Sequence, residues 1–297
     1  MLVHEGANEE AMLKLIDTFF ETFIDAIKNI VNDMRNLDLK YDNEYGYIVL
    51  SLRGILVQLD GMKMLFAKQN SEASQILLRG IFEASLQLLY FIEEPSLLNE
   101  NNAIYQLCYA RDFEKQLKKM KKYSKENLFS EHKEKQILSI REKHKSLYEQ
   151  LLRESNIFKK GKPWYSVSGE LHSKKIGNVR ELSDYLKLMD GQSYVIVYDL
   201  IYSSTSSYTH GQKMADVVYN TDEQFYFLPI HYLKSSSVYI IGLWKIIENL
   251  LLRMLPFLSN HGVVLSNLDG DKLNCQKALV EEIRRCDSGL SKMPLFY

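Results

Sequence analysis

Apolar residues recur at intervals of three and four along most of this chain, a spacing that lines them up on single helical faces. Leu13, Ile16, Phe20, Phe23, Ile24, Ile27 and Val31 form one such stripe and predict an amphipathic helix over Glu9–Asn36. After the loop LDLKYDNEYG, Tyr47–Lys68 predicts a second helix, with Gly54 and Gly61 as points of close packing. Asn70 or Ser71 is placed to cap a third helix, Ser74–Glu93, which Pro95 ends. Asn99–Lys122 begins apolar (Ile104, Leu107, Cys108) and ends as KQLKKMKKYSK. Ser130–Glu154 carries a thin seam of Ile137, Ile140, Leu147 and Leu151. Further helices are predicted at Val179–Leu188, Tyr194–Gly211, His231–Leu258 and Asp271–Arg285, with a short extended piece at Phe225–Leu228. The Gly, Pro, Ser and Lys content of Ser155–Asn178 reads as a long irregular loop. The expected fold is therefore all-α, a bundle of about eight to nine helices. It is read as one domain over residues 1–297, with 111–175 a basic helical hairpin plus loop inserted in it.

The third helix stands out. Gln75, Arg79, Glu83 and Gln87 lie four residues apart and form one narrow polar row, flanked by Leu78, Phe82 and Leu86 on one side and Ile76, Gly80 and Ala84 on the other. Gly80 and Ala84 leave room for another backbone to approach. A charge in such a stripe needs a partner if it is buried. Arg before Glu is the weaker order for a local helical pair, which favours partners from elsewhere in the chain. Far downstream, Tyr194, Tyr198, Tyr202, Ser206 and His210 also repeat every four residues, and Gly211 supplies a helix stop.

Net charge is −1, but residues 111–175 hold 18 Lys/Arg against 9 Asp/Glu. This asymmetry suits attraction of a polyanion, or simply a solvated helical hairpin. Trp164 in the loop is either docked in the core or, with Lys160 and Lys162, a ligand contact. Three scattered cysteines make no disulfide framework, and the acidic N-terminus MLVHEGANEEAML lacks the basic region of a signal peptide. The cysteine pattern suits a reducing cytoplasm, the location expected, and the charges within His231–Leu258 argue for a core or dimer-interface helix over a membrane span.

Metal and phosphate-loop signatures are missing: there is no HExxH, Cys/His spacing, GxGxxG, GxxxxGK[ST] or GxSxG. No metal ligands and no cofactor are expected. What remains is a constellation of Arg79 and Glu83 facing Tyr202, Ser206 and His210. His210 is suited to general acid–base work, Glu83 or Tyr202 to setting its tautomer, and Arg79 to holding a phosphate. Those parts suffice for metal-independent RNA cleavage. A Ser206/His210/Glu83 hydrolase is the weaker alternative, because nothing marks Ser206 as an activated nucleophile. The plainer alternatives are a structural ion pair and a hydrogen-bonded core histidine.

LLRGIFEASLQLLYF, NVRELSDYLKL and YDLIYSSTSSYTHG together resemble a group of uncharacterised bacterial helical proteins with the pattern Arg-x3-Glu … Tyr-x3-Ser-x3-His-Gly. The pattern falls on Arg79, Glu83, Tyr202, Ser206, His210 and Gly211. More distantly the chain resembles the HEPN superfamily, which implies homodimers, RNA cleavage and a role in toxin or antiviral systems, alone or with a partner protein of a defence operon. HEPN nucleases carry Arg-x4-6-His. Here Arg141 and His144 are too close for that spacing, and Arg253 and His261 too far apart. Three functions therefore remain open: an RNA-directed effector, a non-catalytic interaction module, and a sensor of a small nucleotide beside the Trp164 loop.

Overall fold

The computed structural model describes residues 2–36, 45–68, 70–123, 131–187, 191, 193–199, 201–202, 218–221, 224–227, 236–260 and 277–283. Among the described residues the body is mostly helical. α1 is Leu2–Asn36, α2 Tyr45–Ala67 and α3 Ser71–Glu93; a 3-10 turn at Pro95–Leu97 then leads into α4, Leu98–Tyr123. α5 (Glu131–Lys143), α6 (Lys145–Glu154), α7 (Asn156–Lys159), α8 (Trp164–Leu171) and α9 (Val179–Tyr185) follow, and α10 is Ser236–Asn260. Residues 195–199, 201–202 and 277–283 are also helical. Among the described residues the departure from an all-α fold is an antiparallel two-stranded ribbon, β1 (Val218–Thr221) and β2 (Gln224–Phe227), with Val218 opposite Phe227. The extended piece expected at Phe225–Leu228 overlaps β2.

The stripe of α1 is buried at Ile16, Phe20, Phe23, Ile24, Ile27 and Val31, as its periodicity requires. It lies on α2, whose Ile48, Leu52, Ile55, Leu59, Met62 and Phe66 are sealed from solvent. α2 in turn packs on α3, and α3 on α10, α8 and α9. By length and composition Ala73–Glu93 would suffice to cross a bilayer, but 61% of its most apolar window is buried inside the protein. Its start is fixed as expected: Asn70 Oδ1 accepts from the Ala73 N–H at 3.1 Å. The glycines behave unevenly. A Cβ on Gly61 would lie 3.0 Å from Leu77 Cδ1, whereas one on Gly54 would meet nothing within 4 Å, so only Gly61 is a close-packing point. The space above Gly80 is filled by the Gln58 carboxamide, and a side chain rather than a backbone makes the approach there.

Two other expectations change. Ser130–Glu154 is not one helix but α5 and α6, broken at His144. α5 closes a small apolar cluster with α4 (Ala110, Phe113, Leu117, Ile137), while Leu151 of α6 enters the main core. The segment 155–178 contains α7 and α8 rather than a long loop. Ser155 caps α7 by accepting the Phe158 N–H at 2.9 Å, and Arg111 holds the following turn through Phe158 O (2.9 Å) and Lys162 O (3.0 Å). Tertiary hydrogen bonds thus impose helix where Gly, Pro and Ser suggest a loop.

Candidate functional site

The polar row of α3 is a set of fasteners: Gln75, Arg79 and Gln87 each reach a different part of the chain, and Glu83 braces Arg79. Gln75 Nε2 donates to the Tyr239 hydroxyl of α10 at 2.5 Å. Gln87 Oε1 accepts from Trp164 Nε1 of α8 at 3.0 Å. Between them, Arg79 Nε donates to Glu83 Oε1 at 2.9 Å and its Nη2 donates to the Tyr202 hydroxyl. The Arg79 guanidinium carbon lies 3.8 Å from the centre of the Tyr202 ring, so the contact is a cation–π stack as well as a hydrogen bond. Tyr202 is stacked on Tyr198 (4.5 Å, 16°), and Tyr198 leans on Phe82. The two distant motif segments therefore meet through one guanidinium.

The pair is less buried than an apolar stripe suggests: Arg79 and Glu83 side chains are 28% and 30% exposed. Five N–H donors belong to Arg79, and two are engaged by Glu83 and Tyr202. Among the described residues no hydrogen-bond partner meets the other three. Burial raises the Tyr202 phenol above its ordinary range, with Glu83 adding to the shift and Arg79 opposing it. That phenol stays protonated at neutral pH and acts as a neutral hydrogen-bonding group.

Tyr165 was not singled out as a site residue by its position in the sequence, yet it belongs here. Its ring is buried, and its phenol is pushed up to about 12 by burial first, with Glu83 and then Tyr202 further disfavouring its ionisation. The adjacent aromatic pair Trp164–Tyr165 is the signal that points to it. Tyr239 had no such signal, since it lies 164 residues from its partner Gln75.

Trp164 sits in the core, 4% exposed, its indole among Tyr47, Tyr90 and Phe91. With the ring packed and its N–H given to Gln87, it anchors α8, the plainer of its two expected roles. Lys160 and Lys162 are exposed in the turn before α8. Ser206 and His210 lie outside the described residues. Burial raises the Cys108 thiol to about 12, which keeps it protonated. Among the described residues no group of three or more His, Cys, Asp or Glu side chains is arranged to hold a metal ion.

Fold and site together define a helical protein with an Arg–Glu–Tyr junction at the central helix. Residues 45–225 match a family of unknown function (DUF5677), and the chain belongs to that family. The match spans both halves of the junction, from α2 to β2. No curated protein matches the chain, and no solved structure does.

Proposed function

We propose that the protein is an RNA-directed effector of bacterial stress response or antiviral defence, cytoplasmic and dimeric, with a HEPN-like helical core. The observation that carries this reading is the Arg79–Tyr202 contact: a guanidinium 28% exposed to solvent, oriented on two sides, with N–H donors beyond those two contacts that suit a phosphate. In this scheme the ribose 2′-hydroxyl attacks the adjacent phosphorus and the bond from phosphorus to the 5′-oxygen breaks, leaving a 2′,3′-cyclic phosphate. His210, eight residues beyond Tyr202, takes the 2′-hydroxyl proton and returns one to the leaving oxygen. Arg79 stabilises the charge that grows on the phosphoryl oxygens, Tyr202 and Glu83 hold Arg79 in place, and Ser206 lies four residues in sequence from both Tyr202 and His210.

Incubating purified protein with RNA in EDTA tests this. Cleavage to cyclic-phosphate ends is expected, lost on His210→Ala and on Arg79→Ala. Intact RNA, together with a His210→Ala strain that grows as the wild type does, overturns it.

A second reading is supported by the same row of fasteners, since Gln75, Arg79 and Gln87 each tie α3 to another segment. A non-catalytic interaction module needs nothing more than that packing role. Arg79→Ala then loses stability, and no RNA chemistry accompanies the loss.

A further inference from the structure

The acidic residues along the C-terminal half of α4 are already engaged. Asp112 is gripped at both oxygens by Arg111 (2.7 and 2.9 Å), and Glu114 is paired with Arg141. Lys115, Lys118, Lys119 and Lys122 are exposed there, beside Gln116 and the engaged Asp112. Arg111, 7% exposed, also binds the carbonyls of Phe158 and Lys162, and so fixes the turn between α7 and α8 against α4. That turn passes through Gly161 at φ 77°, and a Cβ there would stand 2.5 Å from Lys115 Nζ. The Lys115 ammonium therefore lies over the turn that displays Lys160 and Lys162. Like charges crowded on a rigid surface repel one another, and a bound polyanion relieves that repulsion. The anchoring arginine makes the crowding a fixed feature of the fold.

We propose that this face, Lys115, Lys118, Lys119 and Lys122 of α4 with Lys160 and Lys162 of the turn, is the docking surface for the phosphate backbone of RNA. The inference rests on the RNA-directed reading above and adds where the strand lies. Continuity supports the placement: Pro163 and Trp164 alone separate Lys162 from Tyr165, and Trp164 donates to Gln87, one turn along α3 from Glu83. Three residues span about 10 Å, so a backbone seated on the lysines lies within a few nucleotides of Tyr165.

The test compares the full-length protein with Lys115→Glu/Lys119→Glu/Lys160→Glu, binding a mixed-sequence 20-nucleotide single-stranded RNA across 50–300 mM salt. Each phosphate contact on a single strand contributes about 0.7 to the logarithmic salt slope, so losing three lowers the slope by about 2. Affinity at 100 mM salt is expected to fall at least tenfold, with circular dichroism and melting temperature unchanged because all three side chains are exposed. Equal binding and slope in both proteins overturns the inference while leaving RNA-directed chemistry at Arg79 standing. No RNA binding by the wild type also overturns it. Loss of binding in the variant, from a protein that never cleaves RNA, upholds the docking surface and removes the catalytic reading instead.

Discussion

A single guanidinium decides how two stretches of sequence more than a hundred residues apart are related. Arg79 is neither fully buried nor free, so its removal costs less than breaking a sealed ion pair. With both partners about a third exposed, Arg79→Ala is expected to lower unfolding free energy by about 1–2 kcal/mol, well below the roughly 3–5 kcal/mol of a buried pair. Urea denaturation measures it, and a loss of the larger size would mean a purely structural arginine. Ser173 offers a cleaner residue-level test. It closes α8 at φ 58°, with the Lys174 N–H reaching Gly169 O at 2.7 Å, the position where helices favour glycine. Ser173→Gly relieves the left-handed strain and should raise stability by about 0.5–1 kcal/mol, seen as a higher urea midpoint; a lower midpoint would show that the hydroxyl is needed.

At the scale of elements, α3 is the hub because its apolar faces meet α2 and α10 while its polar row reaches outward. That hub was legible in the sequence: the four-residue spacing of Gln75, Arg79, Glu83 and Gln87 is visible without coordinates, as is the Asn70 cap. Its partners were only half legible. Tyr202 stood in a matching row, but neither Tyr239 nor the direction of Gln87 towards Trp164 leaves a local trace. α7 and α8 were hidden because Ser155, Arg111 and the buried aromatics impose them from outside the segment. Trp164→Ala should therefore do more than empty a pocket, since it also releases Gln87 and the start of α8. A loss of about 3–5 kcal/mol is expected, and a loss under 1 kcal/mol would place the indole outside the core.

The end of α3 carries a clasp to α8 and α9. Lys174 pairs with Glu94 and stands over the rings of Tyr90 (5.4 Å) and Tyr185 (5.2 Å). Burial disfavours the Lys174 charge, but Glu94 and Tyr185 outweigh it and raise its pKa, while Lys174 lowers that of Glu94. A depressed carboxylate stabilises the fold above its ordinary titration range, and the benefit is lost as pH falls through its folded value. The stability gap between wild type and Glu94→Gln should thus be widest near neutral pH and close below about pH 4. Melting temperatures of both proteins across pH 3–7 check the sign, and a gap that widens in acid would refute the clasp.

For the whole molecule, charge separates what the core joins. One continuous apolar cluster runs from α1 to the helical residues 277–283, while α4 and α5 carry a second small cluster under a lysine-rich surface. That division gives the RNA-directed reading two separable parts, an electrostatic surface and a junction with spare donors. The junction depends on α3 and the Tyr198–Tyr202 segment meeting through Arg79. A denaturation double-mutant cycle over Arg79→Ala and Tyr202→Phe tests that contact most directly. A coupling of about 0.5–1.5 kcal/mol is expected for a stacked, charge-assisted hydrogen bond at a partly exposed site. Strictly additive losses, with coupling indistinguishable from zero, would mean that the two segments do not meet there.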